Sequence, residues 1–360
     1  MEHAFGRGPS FLLGIEEELL LVEPEGHALA PDAERLLPAI DAPGELVAHE
    51  AYAAEVELRS PPSRDAAEAA GAVAGLRGAA RAAGATLLGC GIHPSGSHGD
   101  ARLVDLERYR RCERDMRGLM RRTPECALHV HVGMPDPGTA IRAHNGLRRH
   151  LPLVAGLAAS SPFWFGADSG LASARSALVR AYPGRGVPRA FHDFADYEET
   201  VAASLAAGGL EDATLLWWDV RPHPRHGTLE VRELDTQASL ADASALAALV
   251  HGLALHEADG GDGPAPATEA IAWSSFRAAR DGVRAQILAG DRIAPLAEVA
   301  RTAVGVAAAH LGELGADAGA LDGVERIVRE GGDAWQRDRH AREGMPGLLA
   351  ALVERTAAGV

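Results

Sequence analysis

At 360 residues and 47% hydrophobic content the chain is long enough to bury a full core, and Ala, Leu and Val set against only 4% aromatic residues favour helix. A formal net charge of -15 repels nucleic acid and anionic membranes alike, which argues against both as partners. All 35 basic residues are Arg, so a Schiff-base lysine and a Walker A loop are excluded, and any nucleotide phosphate must be held by metal ions and Arg.

The three cysteines, Cys90, Cys112 and Cys126, form no CxxC pair and read as reduced thiols. Met1 to Ser10 has no apolar stretch of the secretory type, and no apolar run reaches spanning length unbroken. These features lead us to expect a soluble cytoplasmic protein.

In chain order, residues 11–22 read as an apolar strand with three embedded acids, stopped at Glu23-Pro24-Glu25-Gly26. Side chains two apart share a strand face, so Glu16 and Glu18 point together while Glu17 joins Ile15 and Leu19. Paired carboxylates on a strand with apolar flanks are costly to bury without a cation, although a solvated face would carry them as decoration. Residues 55–59 repeat the pattern, with Glu55, Glu57 and Arg59 on one face and Val56 and Leu58 on the other. A second acid pair is what a multi-metal carboxylate site requires. Residues 63–83 form an Ala-rich helix with Ser63 as its N-cap; residues 86–92 are a strand and residues 103–122 a charged helix.

The next strand, 126–134, presents His129 and His131 on one face. That spacing suits zinc, supplements magnesium or manganese among carboxylates, or arises by accident. A helix with one internal Pro covers 141–159. Strands at 215–221 and 228–234 flank a Pro-rich hairpin connection carrying His223 and His226. On the second of them Glu230, Arg232 and Leu234 share a face, with Leu229, Val231 and Glu233 opposite and Arg221 across the hairpin. Taken alone, Glu230 beside Arg232 reads as an ion pair; in company it supplies a metal ligand and a phosphate clamp. Residues 240–256 are an apolar helix, 259–266 the clearest loop, and the remainder to residue 360 reads as helix. The expected fold is α+β in a single domain over 1–360. A sheet-containing core at about 10–256 carries a polar, metal-loaded concave face with helices on its back, and a helical part follows at about 267–360.

The stretches GIEEELLLVEP, EVELRSPP, LHVHVG, SSPFWFGADSGLASARS, WWDVRPHPRHGTLEVRELD and SLADASALAALV occur in that order between Gly14 and Val250. In them the sequence resembles the glutamate–cysteine ligase type 2 family of carboxylate–amine ligases, whose catalytic fold is similar to that of glutamine synthetase. The resemblance implies a curved antiparallel sheet holding ATP and two or three magnesium ions, with manganese as a substitute. It implies metal ligation by Glu16, Glu18, Glu57, His129 and Glu230, and phosphate binding by Arg232. Arg175 would contact the substrate carboxylate or phosphate, although spacing alone also reads it as a solvated helix residue. Glu55, His131 and Arg221 are supporting candidates for the metal and nucleotide site. The implied reaction joins glutamate to an amine such as cysteine through a γ-glutamyl phosphate, and the family's frequent dimers make a homodimer compatible with it. Family members differ in their acceptor, which leaves a ligase for a different carboxylate–amine pair open, and two rivals stay open from residues alone: a metal-dependent hydrolase using His129 and His131 on zinc, and a non-catalytic nucleotide-binding relative.

Overall fold

The computed structural model describes residues 1–263 and 265–359; the expected loop at 259–266 contains Pro264 and the expected C-terminal helical part ends at Val360, both outside the described residues. Seven strands form one sheet in the order β2-β3-β1-β5-β9-β8, with β4 also pairing β1. They are β1 (Leu13–Leu21), β2 (Val47–His49), β3 (Glu55–Arg59), β4 (Leu87–Leu88), β5 (Ala127–Gly133), β8 (Val220–His223) and β9 (Thr228–Asp235). Every pairing is antiparallel. Two small hairpins stand apart, β6 (Phe163–Trp164) with β7 (Ala167–Asp168), and β10 (Gln286–Ala289) with β11 (Arg292–Pro295).

The short helix α1 (Ala33–Leu36) precedes β2, and α2 (Ala66–Ala82) follows β3. Between β4 and β8 lie α3 (Glu107–Met116), α4 (Pro137–Leu147), α5 (Leu151–Ala158), α6 (Ala174–Val179) and α7 (Phe194–Gly208). After β9 come α8 (Leu240–Ala258), α9 (Thr268–Asp281), α10 (Leu296–Leu314), α11 (Asp322–Glu330) and α12 (Gly332–Ala357). Apolar residues on the back of the sheet, among them Leu13, Ile15, Leu128, Val130, Leu229 and Val231, pack on α8, which is buried almost end to end, and on α4 and α5. This explains why α8 lacks a polar stripe: helices and sheet surround it. One part of the front face is also covered, where Leu20 and Leu88 meet Leu348, Leu349 and Leu352 of α12.

Several expectations are corrected. Asp65, not Ser63, caps α2, accepting from the Glu68 amide, while the Ser63 hydroxyl donates to the Pro61 carbonyl. The 86–92 strand shrinks to two residues. The 103–122 helix ends at Met116, after which a 3-10 turn begins at Arg117 with φ 54°. The 141–159 helix starts at Pro137 and divides into α4 and α5, with Pro152 in the first turn of α5, where a missing N–H is harmless. Leu215 lies in a 3-10 turn rather than a strand, and the C-terminal helical part contains the β10–β11 hairpin around Gly290, whose φ is +64°.

One correction reaches the site. Leu128 pairs with Leu234 but Val130 pairs with Val231, so Arg232 and Glu233 both stand opposite His129. This β-bulge reverses the alternation beyond Arg232. Leu234 enters the core on the back of the sheet, and Glu233, expected there, turns to bond Ser176 and Arg180.

Candidate active site

The front face forms the floor of a cleft of about 770 Å³, a volume suited to a cofactor-sized ligand. Register explains which side chains gather there. Glu16 lies opposite both Arg59 and His129, Glu18 opposite Glu57, and His131 opposite Glu230, itself paired with Arg221. Cross-strand partners share a face, so all of these residues point into one hollow. Glu17 points the other way, and Arg77 neutralises it with a bidentate pair at 2.9 Å in full burial.

Two groups can hold a cation. Glu16, His129 and Glu230 each offer a ligand atom within 4.8 Å of the others, and so do Glu18, Glu50 and Glu57. Burial and the charge of Glu50 push the Glu18 carboxyl up to about 8, and burial with Glu16 and Glu50 lifts Glu57 well above the carboxylate range. Burial raises Glu50 as well. Three acids that resist ionising together would be relieved by a compensating cation. At the other group burial is outweighed: His131 and His129 hold Glu16 low, and Arg221 and Arg232 hold Glu230 low. Burial, then the Arg232 charge, keeps His129 neutral by lowering it to about 3, the form in which imidazole ligates metal. The Nε2 atoms of His129 and His131 are buried without a hydrogen-bond partner among the described residues. The Glu18, Glu50 and Glu57 set is all carboxylate, the donor type that a hard ion such as magnesium prefers, while the single imidazole among the carboxylates of the other set suits manganese or zinc as well.

The other expected residues take distinct places. Glu55 lines the cleft but stands outside both groups, with Cys126 Sγ donating to it at 3.2 Å. His131 bonds Thr228 through Nδ1 at 2.9 Å. Arg221 spends its donors on Glu230 (2.6 Å) and on the carbonyls of Thr214 (3.0 Å) and Leu216 (2.8 Å), so it positions Glu230. Arg232 pairs with Glu230, and its Nε has no partner among the described residues. Arg175 is 2% exposed, which rules out the solvated reading. Its orientation comes from Asp235, whose carboxylate accepts from Ser160 N (2.9 Å), Ser161 Oγ (2.7 Å), Ser173 Oγ (3.0 Å) and Arg175 (3.5 Å). Two sequence stretches far apart in the chain thus meet at one carboxylate.

Sequence reasoning missed Glu50 and Arg185, and it put Glu233 on the wrong face. Glu50 follows a three-residue strand in which Ala48 pairs with Glu57, so period-2 alternation from Ala48 carries Glu50 onto the acidic face. That strand is too short to stand out. His223 and His226 stack at 4.3 Å beside His131.

A family model for glutamate-cysteine ligase family 2 matches residues 12–355. The chain belongs to this family. Among family 2 relatives, a Rubrobacter xylanophilus protein assigned the name glutamate–cysteine ligase 2-1 is 36% identical over 96% of this chain and 95% of its own. The glutamate–cysteine ligase of Halobacterium salinarum is 34% identical over 78% of this chain and 81% of its own. The fold is shared with a glutamate–cysteine ligase from Francisella tularensis solved in complex with AMP (TM-score 0.67, 14% identity, 98% of this chain and 90% of that one). It is shared too with a bifunctional glutathione synthetase from Pasteurella multocida, at TM-score 0.71 and 15% identity, where this chain spans 52% of the longer protein. No helix among the described residues is long and apolar enough to cross a membrane.

Proposed function

We propose that this family 2 member is an ATP-dependent carboxylate–amine ligase that activates the γ-carboxylate of glutamate and transfers it to an amine, with cysteine the acceptor to be tested first. The observation that carries the reading is the convergence on one cleft floor of two side-chain groups with the geometry to hold a cation and the Arg232 guanidinium. Names of relatives at 34–36% identity support the same chemistry.

A carboxylate is a poor acyl donor because oxide is its leaving group. In the proposed reaction a γ-carboxylate oxygen of glutamate attacks the γ-phosphorus of ATP and ADP departs, leaving an acyl phosphate. The amine nitrogen then attacks the acyl carbon, loses its proton, and phosphate leaves with that carboxylate oxygen. The chain supplies position and charge rather than a nucleophile. The Arg232 Nε, without a partner among the described residues, supports a role for this side chain in taking a phosphoryl oxygen, and Glu230, itself held by Arg221, steadies it. Arg59, paired to Glu57 and 3.8 Å from Glu16, holds the acids of β1 and β3 in place. Magnesium held by Glu16, His129 and Glu230 and by Glu18, Glu50 and Glu57 would neutralise the phosphate oxygens of ATP.

The test is ADP release by the purified chain with ATP, magnesium and glutamate across a panel of amines. The reading requires ADP that depends on one amine and is lost in Glu16→Gln. ADP release indifferent to every amine and to glutamate would refute it.

A further inference from the structure

The turn Tyr182-Pro183-Gly184-Arg185-Gly186, just after α6, has no part in the chemistry above, yet it is built to aim one side chain. Gly184 and Gly186 have φ of +71° and +124°, a region costly to any residue with a Cβ, and a Cβ on Gly186 would come within 3.0 Å of Arg180 Nη1. The turn closes through Arg185 N to the Tyr182 carbonyl at 3.2 Å, and the Asp219 amide anchors it on the Gly186 carbonyl at 3.0 Å. Arg185 between them enters the cleft wall with its side chain 5% exposed.

There it meets Arg175. Both guanidiniums donate through Nη2 to the same acceptor, the Arg232 carbonyl, each at 3.3 Å. Both Nε atoms are buried without a partner among the described residues. Four acids face them, Asp219, Asp235, Glu233 and Glu125, and each is shared with other donors: Glu233 bonds Arg180 at 2.9 Å and Glu125 pairs with Arg122 at 3.2 Å. Asp219 gives its close contact to Arg180 (2.6 Å) and stands 3.6 Å from Arg185, while Asp235 is 3.5 Å from Arg175. Burial, and then the neighbouring Arg175 charge, push Arg185 down to about 10. Two buried like charges converging on one carbonyl, with donors to spare, suit a planar anion held by two forks.

We propose that Arg185 and Arg175 together seat a carboxylate group of an amino-acid substrate. This rests on the ligase reading and assigns a residue to its substrate. Carboxylate is favoured over phosphate because the Arg232 side chain already stands with Glu230 and His129. The Arg185 pair instead lies near Glu125, which Arg122 meets at 3.2 Å, and near Tyr182 and Tyr52, whose phenol oxygens can accept from an ammonium group.

The test compares wild type with Arg185→Gln and Arg185→Lys in the full chain, reading KM separately for glutamate, the amine and ATP. A second reading is the rise in melting temperature given by each amino acid without turnover. Loss of one charge-assisted pair predicts KM for one amino acid raised about ten- to a hundredfold with KM for ATP unchanged, partly restored in Arg185→Lys. A rise confined to ATP assigns the pair to phosphoryl oxygens and overturns the proposal, as do three unchanged KM values. If Arg185→Gln fails to fold, Arg185→Lys carries the comparison. If wild type turns over no amine, the ligase reading falls, but amino-acid stabilisation that Arg185 variants lose keeps the carboxylate seat. Wild type stabilised by no amino acid overturns the seat as well.

Discussion

At the scale of single residues the site is defined by charges that the chain's own groups leave unbalanced. Glu18, Glu50 and Glu57 present three carboxyls within 4.8 Å, and burial with the Glu50 charge drives Glu18 up to about 8. A carboxyl raised in the folded state keeps its proton where the unfolded chain, at the ordinary value of 4.5, has lost it. The native state therefore binds more protons between about pH 4.5 and 8, and stability falls as pH rises through that window. In a chelator the melting temperature should drop from pH 6 to pH 8.5. Magnesium should restore more at the higher pH, because it binds ionised acids. Glu50→Gln removes the charge facing Glu18, so it should raise the chelator melting temperature at pH 8 while weakening magnesium binding. Thermal melts with and without magnesium check both. A Glu50→Gln protein that melts lower in chelator and binds magnesium normally would place Glu50 outside the cation seat.

At the scale of elements, what could be read from the sequence followed how regular the backbone is. In β1, β3 and β5 the period of two holds throughout, so Glu16 with Glu18, Glu57 with Arg59, and His129 with His131 were legible as shared faces. In β9 it was legible only as far as Arg232, because the bulge inserts a residue without any compositional mark and moves Glu233 and Leu234 to the faces opposite those expected. Glu50 escaped because β2 is three residues long, and the β10–β11 hairpin because its Gly290-Asp291 turn lies in an Ala-rich background that reads as helix. Packing between helices is equally silent in sequence. Gly252 in α8 looks like a weak point, since Ala in its place would gain up to about 1 kcal/mol of helix propensity. Yet a Cβ there would sit 2.5 Å from Ala307 Cα and 2.6 Å from its carbonyl oxygen on α10, contacts that backbone cannot give way to cheaply. Overpacking of this kind costs about 1–3 kcal/mol, so Gly252→Ala should destabilise on balance. A urea midpoint equal to or above wild type would show that α8 and α10 have room to move apart.

At the scale of the whole molecule one buried side chain joins distant parts of the chain. Arg77 of α2 is fully buried. It pairs with Glu17 of β1 and donates at 3.1 Å to the carbonyls of Gln237, Ala238 and Thr356. It thereby links the back of the active-site sheet, the entry to α8 and the end of α12. A buried pair adds little net stability over an apolar substitute, but removing one partner strands a charge, which costs about 3–5 kcal/mol. Arg77→Ala should lose about that much in urea unfolding, and the Arg77→Leu, Glu17→Leu double variant distinctly less. Equal losses would mean that the carbonyl contacts, rather than the stranded acid, set the cost.

The central claim is that this cleft activates a carboxylate by phosphorylating it. The most direct measurement supplies glutamate labelled with 18O in its γ-carboxylate, with ATP, magnesium and the active amine, and weighs the phosphate released. One 18O atom is expected in each phosphate, carried over when the amine displaces it from the acyl phosphate. Phosphate free of label, with ADP still formed, would mean that water and not a carboxylate receives the phosphoryl group, and the account would be wrong.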